Sequence, residues 1–529
     1  LTLYRIAALI LFACTGILTT CIAQQTVTAD PFMAVLNADP NTIQTGKPIS
    51  LDIFVMDSTS MAPSTGLTIA ASLSMPAMPD MAMEPAKVSP GTEPGHYTVR
   101  VTFPHPGEYR LELKTKSAGG KFAVLSFKLK PGVADMHAME GMQMTASLGD
   151  WSASREGSGT SWQPDAAPMF MKMLPRLGGF ETSTMGIVQA GYVDAGGKRG
   201  AQQFFSDSMI MLMGRRPAGG GTVGLDFMTS LDPIINGERG VPDLFQTGET
   251  AYGVPLVDRQ HPHNLFSEVA GSYSRPLSKD WSGFVYGGPV GEPALGNVMF
   301  MHRPSGLEIP EAPISHHWFD STHISFGVVS LGLVYDDKWK LDGSWFNGHE
   351  PGENRYVIGP EALNSGAGRL SYNPSRDWSF STSYGYLDSP EALSPGVNEH
   401  RTTLSAAYSH MFPHGDNLSV TSYFGQNLTE GLPRSNAFLF EATLFHAREA
   451  FFTRFERVDK DELYDVPAGV YTVDKVLFGD VHNFYTKDQL EYGLGAYAGI
   501  YSFPGSLDPY YGKSPLTLGV FVRIRPSKM

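Results

Sequence analysis

From about residue 180 onward, apolar and polar residues alternate in runs long enough to cross a bilayer. Leu516-Thr-Leu-Gly-Val-Phe-Val-Arg-Ile-Arg sets Leu516, Leu518, Val520, Val522 and Ile524 on one face of a strand and Arg523 and Arg525 on the other. Ser379-Phe-Ser-Thr-Ser-Tyr-Gly-Tyr places Phe380, Tyr384 and Tyr386 among hydroxyls. Such runs begin near residues 181, 204, 222, 265, 281, 321, 338, 367, 378, 401, 417, 436, 450, 470, 489 and 515. Their connections alternate in length. Short turns (275–280, 336–338, 373–377, 413–416) separate long loops near 232–264, 289–320, 347–366 and 388–400. Short turns on one side and long loops on the other predict a transmembrane antiparallel β-barrel of about 16 strands (14–16) in an all-β chain. Trp281, Trp339 and Trp378 each follow a short charged turn, so all three are expected at one membrane edge.

Residues 27–131 have a different grammar of shorter strands and closer turns. Ile49-Ser-Leu-Asp-Ile-Phe-Val alternates, Tyr97, Val99, Val101 and Phe103 share a face, and Glu108-Tyr-Arg-Leu-Glu-Leu repeats the pattern after Pro106-Gly107. This spacing predicts a small immunoglobulin-like β-sandwich. Through Met75-Pro-Ala-Met-Pro-Asp-Met-Ala-Met and the paired Gly-x-Tyr-x-Val and Gly-x-Tyr-x-Leu strands, the segment resembles YtkA-like or FixH-like periplasmic domains. That resemblance implies company with copper-handling systems. The barrel region resembles uncharacterised outer-membrane proteins found with metal-resistance proteins, through Gly159-Thr-Ser-Trp-Gln-Pro-Asp, Gly253-Val-Pro-Leu-Val-Asp-Arg-Gln-His-Pro-His and His316-His-Trp-Phe-Asp-Ser-Thr-His-Ile-Ser. It implies placement more than mechanism.

Composition narrows the field. Charged residues are 17% of the 529, below the usual ~25%, as a lipid-facing wall requires. The net charge of −14 argues against a nucleic-acid partner. Both cysteines, Cys14 and Cys21, lie in an apolar run after Arg5 that reads as a signal peptide over 1–23, with lipidation at Cys21 as the rival to cleavage after Ala23. Between sandwich and barrel, residues 132–178 are rich in Met, Gly, Ser and Pro and read as a linker or plug, which leaves 179–529 for the barrel. The expected location is a Gram-negative outer membrane, with lipid around the barrel and the sandwich in the periplasm.

Methionine and histidine carry the candidate chemistry. Met75, Met78, Met81 and Met83 are spaced 3, 3, 2, and Met136, Met139, Met142 and Met144 repeat that spacing with His137 among them. Thioethers are soft ligands that suit Cu(I) or Ag(I) and survive where thiols oxidise. Met169, Met171 and Met173, then Met209, Met211 and Met213, then Met299 and Met301, change to a spacing of two, which in a strand means one face: a luminal ladder, or packing. Seven of the 15 histidines fall between 261 and 349, and His261, His263, His316, His317 and His323 are the candidate imidazole ligands. No phosphate loop and no local nucleophile motif is present, so an enzyme is not expected. The expectation is an outer-membrane protein that binds or passes soft metal ions, copper as Cu(I) first, with periplasmic metal carriers or efflux components as partners. The rivals are a general porin, an adhesive surface protein and an outer-membrane hydrolase.

Overall fold

The computed structural model describes residues 24–37, 48–58, 60, 62–75, 83, 85–91, 94–104, 109–117, 119–129, 146–319, 324–359, 361–412 and 415–529. The signal segment, Met78, Met81, Met136, His137, Met139, Met142, Met144 and His323 lie outside the described residues. The chain forms two units, Leu1–Gln143 and Met144–Met529.

The first unit is a sandwich of a five-stranded and a three-stranded antiparallel sheet. Strand Pro48–Asp57 pairs with His96–Thr102, and Tyr109–Lys116 pairs with Phe122–Leu129. Period two decides the faces. Leu51, Ile53 and Val55 meet Tyr97, Val99, Val101, Phe103, Tyr109, Leu111 and Leu113 in one buried core. Each such fully buried apolar side chain contributes about 1.5–3 kcal/mol.

The second unit is a closed ring of sixteen antiparallel strands from Phe180–Ala195 to Leu516–Pro526, sealed by pairing of the first with the last. A short strand, Met171–Leu177, pairs with the start of Phe180–Ala195, beside the stretch that pairs with the last strand. The connections 219–220, 277–280, 336–338, 376–377, 412–416, 447–448 and 488–489 form one rim, and 230–265, 291–327, 347–364 and 388–398 rise from the other. The expected strand near 321 begins instead at Val328. Ile324 and Phe326 pack on Val290 at the end of the preceding strand, Trp281–Val290, which delays the ladder.

The outer wall is apolar where the inner wall is polar. Leu331, Leu333, Leu341, Leu518, Val520 and Val522 are exposed, while their neighbours Ser330, Lys340, Asp342, Thr517 and Arg523 are buried. Only a bilayer accepts such a band around a closed barrel. Trp281, Trp339 and Trp378 open their strands at the short-turn rim, in contact with Tyr335, Tyr372 and Tyr408 of the neighbouring strands at ring-centroid distances of 4.9, 4.0 and 4.8 Å. This is the aromatic girdle that the three charged turns predict. No helix among the described residues is long and apolar enough to cross a membrane.

The lumen is filled from within. Residues 146–170, the second part of the expected linker, act as a plug: Ser147 O accepts from Ser274 Oγ, Gln163 O from Asn373 Nδ2 and Ala166 O from Ser409 Oγ, on three separate wall strands. Trp162 stacks edge-on against Trp151 in a luminal apolar cluster. The loop segment 291–319 folds inward as well. Its Arg303 pairs with Glu441, which also holds Arg454 of the wall. Its Glu308 faces Arg523 and Arg525, and its Glu311 faces Lys475. These charges are buried, so each must be paired where it sits.

Candidate functional site

Two inward loops bring the imidazoles together. His261 and His263 follow the two-residue strand Arg259–Gln260 in the loop 230–265. His316 and His317 sit in a short 3-10 turn, His316–Trp318, in the loop 291–327. Trp318 anchors that turn by donating from Nε1 to Ser435 Oγ at 3.0 Å, and Ser315 donates to Glu456 Oε1 of the wall. The rings of His316 and His317 lie 4.1 Å apart, and His261 lies 5.8 Å from His316 and 6.2 Å from His317. One ligand nitrogen from each of the three falls within 4.8 Å of the other two. Imidazoles at that spacing from two loops can share one ion.

Carboxylates surround this triad. His261 Nε2 is 3.2 Å from Glu249 Oε1, whose other oxygen holds Arg355. His317 Nδ1 is 3.0 Å from Glu350 Oε1, and Glu391 completes a second group of three with them. Burial, then the charges of Glu391 and Glu249, push the Glu350 carboxyl well above its usual range. His263 points elsewhere, with Nδ1 2.7 Å from Asp232 Oδ2 and 3.9 Å from Asp207 Oδ1. Burial works to lower its pKa, but the bond to Asp232 and the two carboxylate charges outweigh it and raise it. These carboxylates orient the rings as outer-shell groups do around metal-binding histidines.

The sequence-predicted site residues thus divide. His261, His316 and His317 converge, and His263 belongs to the adjoining Asp207–Asp232 group. Met75 packs in the sandwich core and Met83 packs against it. The remaining candidates lie outside the described residues. Sequence reasoning passed over Glu249 and Glu391, which carry no local motif and reach the histidines only through folding. It also left open the role of the period-two methionines. Their strand settles the face: Met209, Met211 and Met213 point inward, with Ile210 and Leu212 exposed between them.

Comparison with known proteins follows this division. A model of the YtkA-like family matches residues 27–114, most of the sandwich but not its last strand, Phe122–Leu129. No curated protein is similar to the chain. Solved structures similar to it include an anion-selective porin from Comamonas acidovorans (12% identity, 66% of this chain and 99% of that chain, TM-score 0.40). OprB of Pseudomonas putida matches at 11% identity over 66% of this chain and 94% of that chain, TM-score 0.42. OmpT of Vibrio cholerae matches at 9% identity over 67% of this chain and 100% of that chain, TM-score 0.39. The barrel itself stands on its closed ring of hydrogen-bonded strands and its lipid-facing band.

Proposed function

We propose that this protein is an outer-membrane barrel that binds copper-like metal ions inside a filled lumen, in metal homeostasis or resistance. The convergence of His261, His316 and His317 from two separate loops carries this reading. Three imidazoles with Glu350 beside them suit a borderline ion such as Cu(II), and the methionine clusters suit the reduced, softer Cu(I) or Ag(I). The YtkA-like sandwich and the Met-rich stretch 136–144 would face the periplasm, where they could receive an ion from a metal carrier or efflux component. With no nucleotide-binding motif in the chain, a concentration gradient or a partner would supply the direction.

Co(II) titration of the detergent-purified full chain tests the reading, because its visible spectrum reports coordination. The expected result is one tight equivalent, weakened at least 100-fold by His261→Gln with His316→Gln. Equal binding by variant and parent would refute it. The second reading is a solute channel. It is favoured by the charged inner wall, where Lys340, Asp342, Arg369, Arg454 and Lys475 are all buried. Steady conductance in planar bilayers without metal binding would support that reading instead.

A further inference from the structure

Strand register assembles a thioether surface that no single segment of the sequence displays. Met171 pairs with Met185, Met185 with Met211, and Met211 with Met228, so four methionines stand side by side on four adjacent strands. Met209 and Met213 flank the row on the same inward face. From the lumen side, Met169, Met299 and Met301 close over it. Beside the row is a cavity of about 70 Å³, lined by methionines, His302 and the carboxylate-bearing Asp226 and Glu268. Gly186 shapes its wall: at φ +152°, a Cβ there would stand 2.3 Å from the Met209 carbonyl oxygen.

Packing does not account for this concentration. Methionine is an adaptable filler, but it loses more rotamer freedom on burial than leucine or valine. The other apolar clusters of the barrel are built from Val, Leu, Ile, Ala and aromatic residues, with no methionine among the described residues. Filler would be scattered; here nine methionines share one cluster.

His302 gives the second, independent sign. Its side chain is buried, with 5% of the residue exposed, and it lines the cavity. Nε2 lies 3.2 Å from Met228 Sδ. Sulfur can only accept, so that contact places the ring proton on Nε2 and leaves a lone pair on Nδ1. Nδ1 has no hydrogen-bond partner among the described residues. A buried acceptor left unsatisfied in a thioether-lined cavity is a ligand position.

We propose that this cavity is a binding site for a monovalent soft cation, Cu(I) or Ag(I), with ligands drawn from Met171, Met185, Met211 and His302, which line it, while Met228 holds the His302 ring from behind. Neutral thioethers leave the ion's charge intact; Arg215 and Glu156 in the lining pair with each other, which leaves Asp226 and Glu268 to balance the ion. The site deepens the metal-binding reading, yet it shares no ligand with the imidazole triad. Co(II) reports the triad and Ag(I) reports the thioethers, so the two can fail separately.

The test uses the full chain in detergent, with Met78, Met81, Met136, Met139, Met142 and Met144 changed to Leu to silence the other clusters. Silver nitrate is the probe. The expected result is one Ag(I) retained per chain through gel filtration against a competing thioether, with shifts of the Met171, Met185 and Met211 methyl signals in carbon-13 NMR. Met171→Leu, Met185→Leu and Met211→Leu together, which conserve volume, should weaken binding at least 100-fold, and His302→Gln at least 10-fold. Retention of no silver by the parent, unmoved methyl signals, or equal affinity in the leucine variant would overturn the proposal. If the leucine variant does not fold, the parent's methyl shifts and His302→Gln decide the matter.

Discussion

Glu441 holds two guanidiniums at once, Arg303 of the inward loop and Arg454 of the neighbouring strand, and all three are buried. Removing its charge leaves two buried cations to share one neutral acceptor. Glu441→Gln should therefore destabilise the barrel by about 3–5 kcal/mol, read from urea unfolding in lipid vesicles. Replacing the whole group with Arg303→Met, Glu441→Leu and Arg454→Met removes the stranded charges as well, so it should cost less than the single change. A triple variant weaker than Glu441→Gln would show that the pairs contribute net attraction and do more than neutralise one another. None of these partnerships was legible in the sequence. Arg303 and Glu441 are 138 residues apart, and only the inward fold of the loop joins them. His302 is a similar case, one imidazole among seven in its region until register sets it against Met228.

At the level of strands, local signals carried further. Each tryptophan of the girdle follows a turn of two to four residues, so sequence neighbours alone put it at a strand start, and alternation then made it face lipid. The coupling across strands is testable. Trp339 stacks on Tyr372 with ring centroids 4.0 Å apart and planes 21° from parallel. A double-mutant cycle of Trp339→Leu and Tyr372→Leu should give a coupling of about 0.5–1.5 kcal/mol. A value near zero would mean that each ring answers to the lipid interface alone. Period two also told that Met209, Met211 and Met213 share a face, but lumen or lipid was open, because apolar thioethers suit either. The residues between them, Ile210 and Leu212, are more hydrophobic and take the lipid side. The stretch 146–170 was the hardest to read. It is polar, rich in Gly and Ser, and without period, as linkers are, and its partners lie far along the chain: Thr160 and Ser161 accept from Arg369, 209 and 208 residues away.

For the whole molecule, the plug and the imidazole triad occupy separable parts of the lumen. Residues 146–165 contact the strands around Lys340, Asp342 and Arg369, whereas His261, His316 and His317 are held by the loops 230–265 and 291–327. Replacing 147–165 with a short Gly/Ser linker would expose Lys340, Asp342 and Arg369 to water on one side of a ring wide enough to conduct. Conductance per barrel in planar bilayers should rise several-fold over the parent, while Co(II) affinity at the imidazole triad should stay within about threefold, a change under about 0.7 kcal/mol. Both readings are needed. Unchanged conductance would mean that the inward loops alone close the lumen, and a collapse of Co(II) binding would mean that the plug holds those loops in register. If conductance rises and Co(II) binding is kept, the barrel wall is a pore scaffold on which occlusion and binding at the imidazole triad are carried by different segments of one chain.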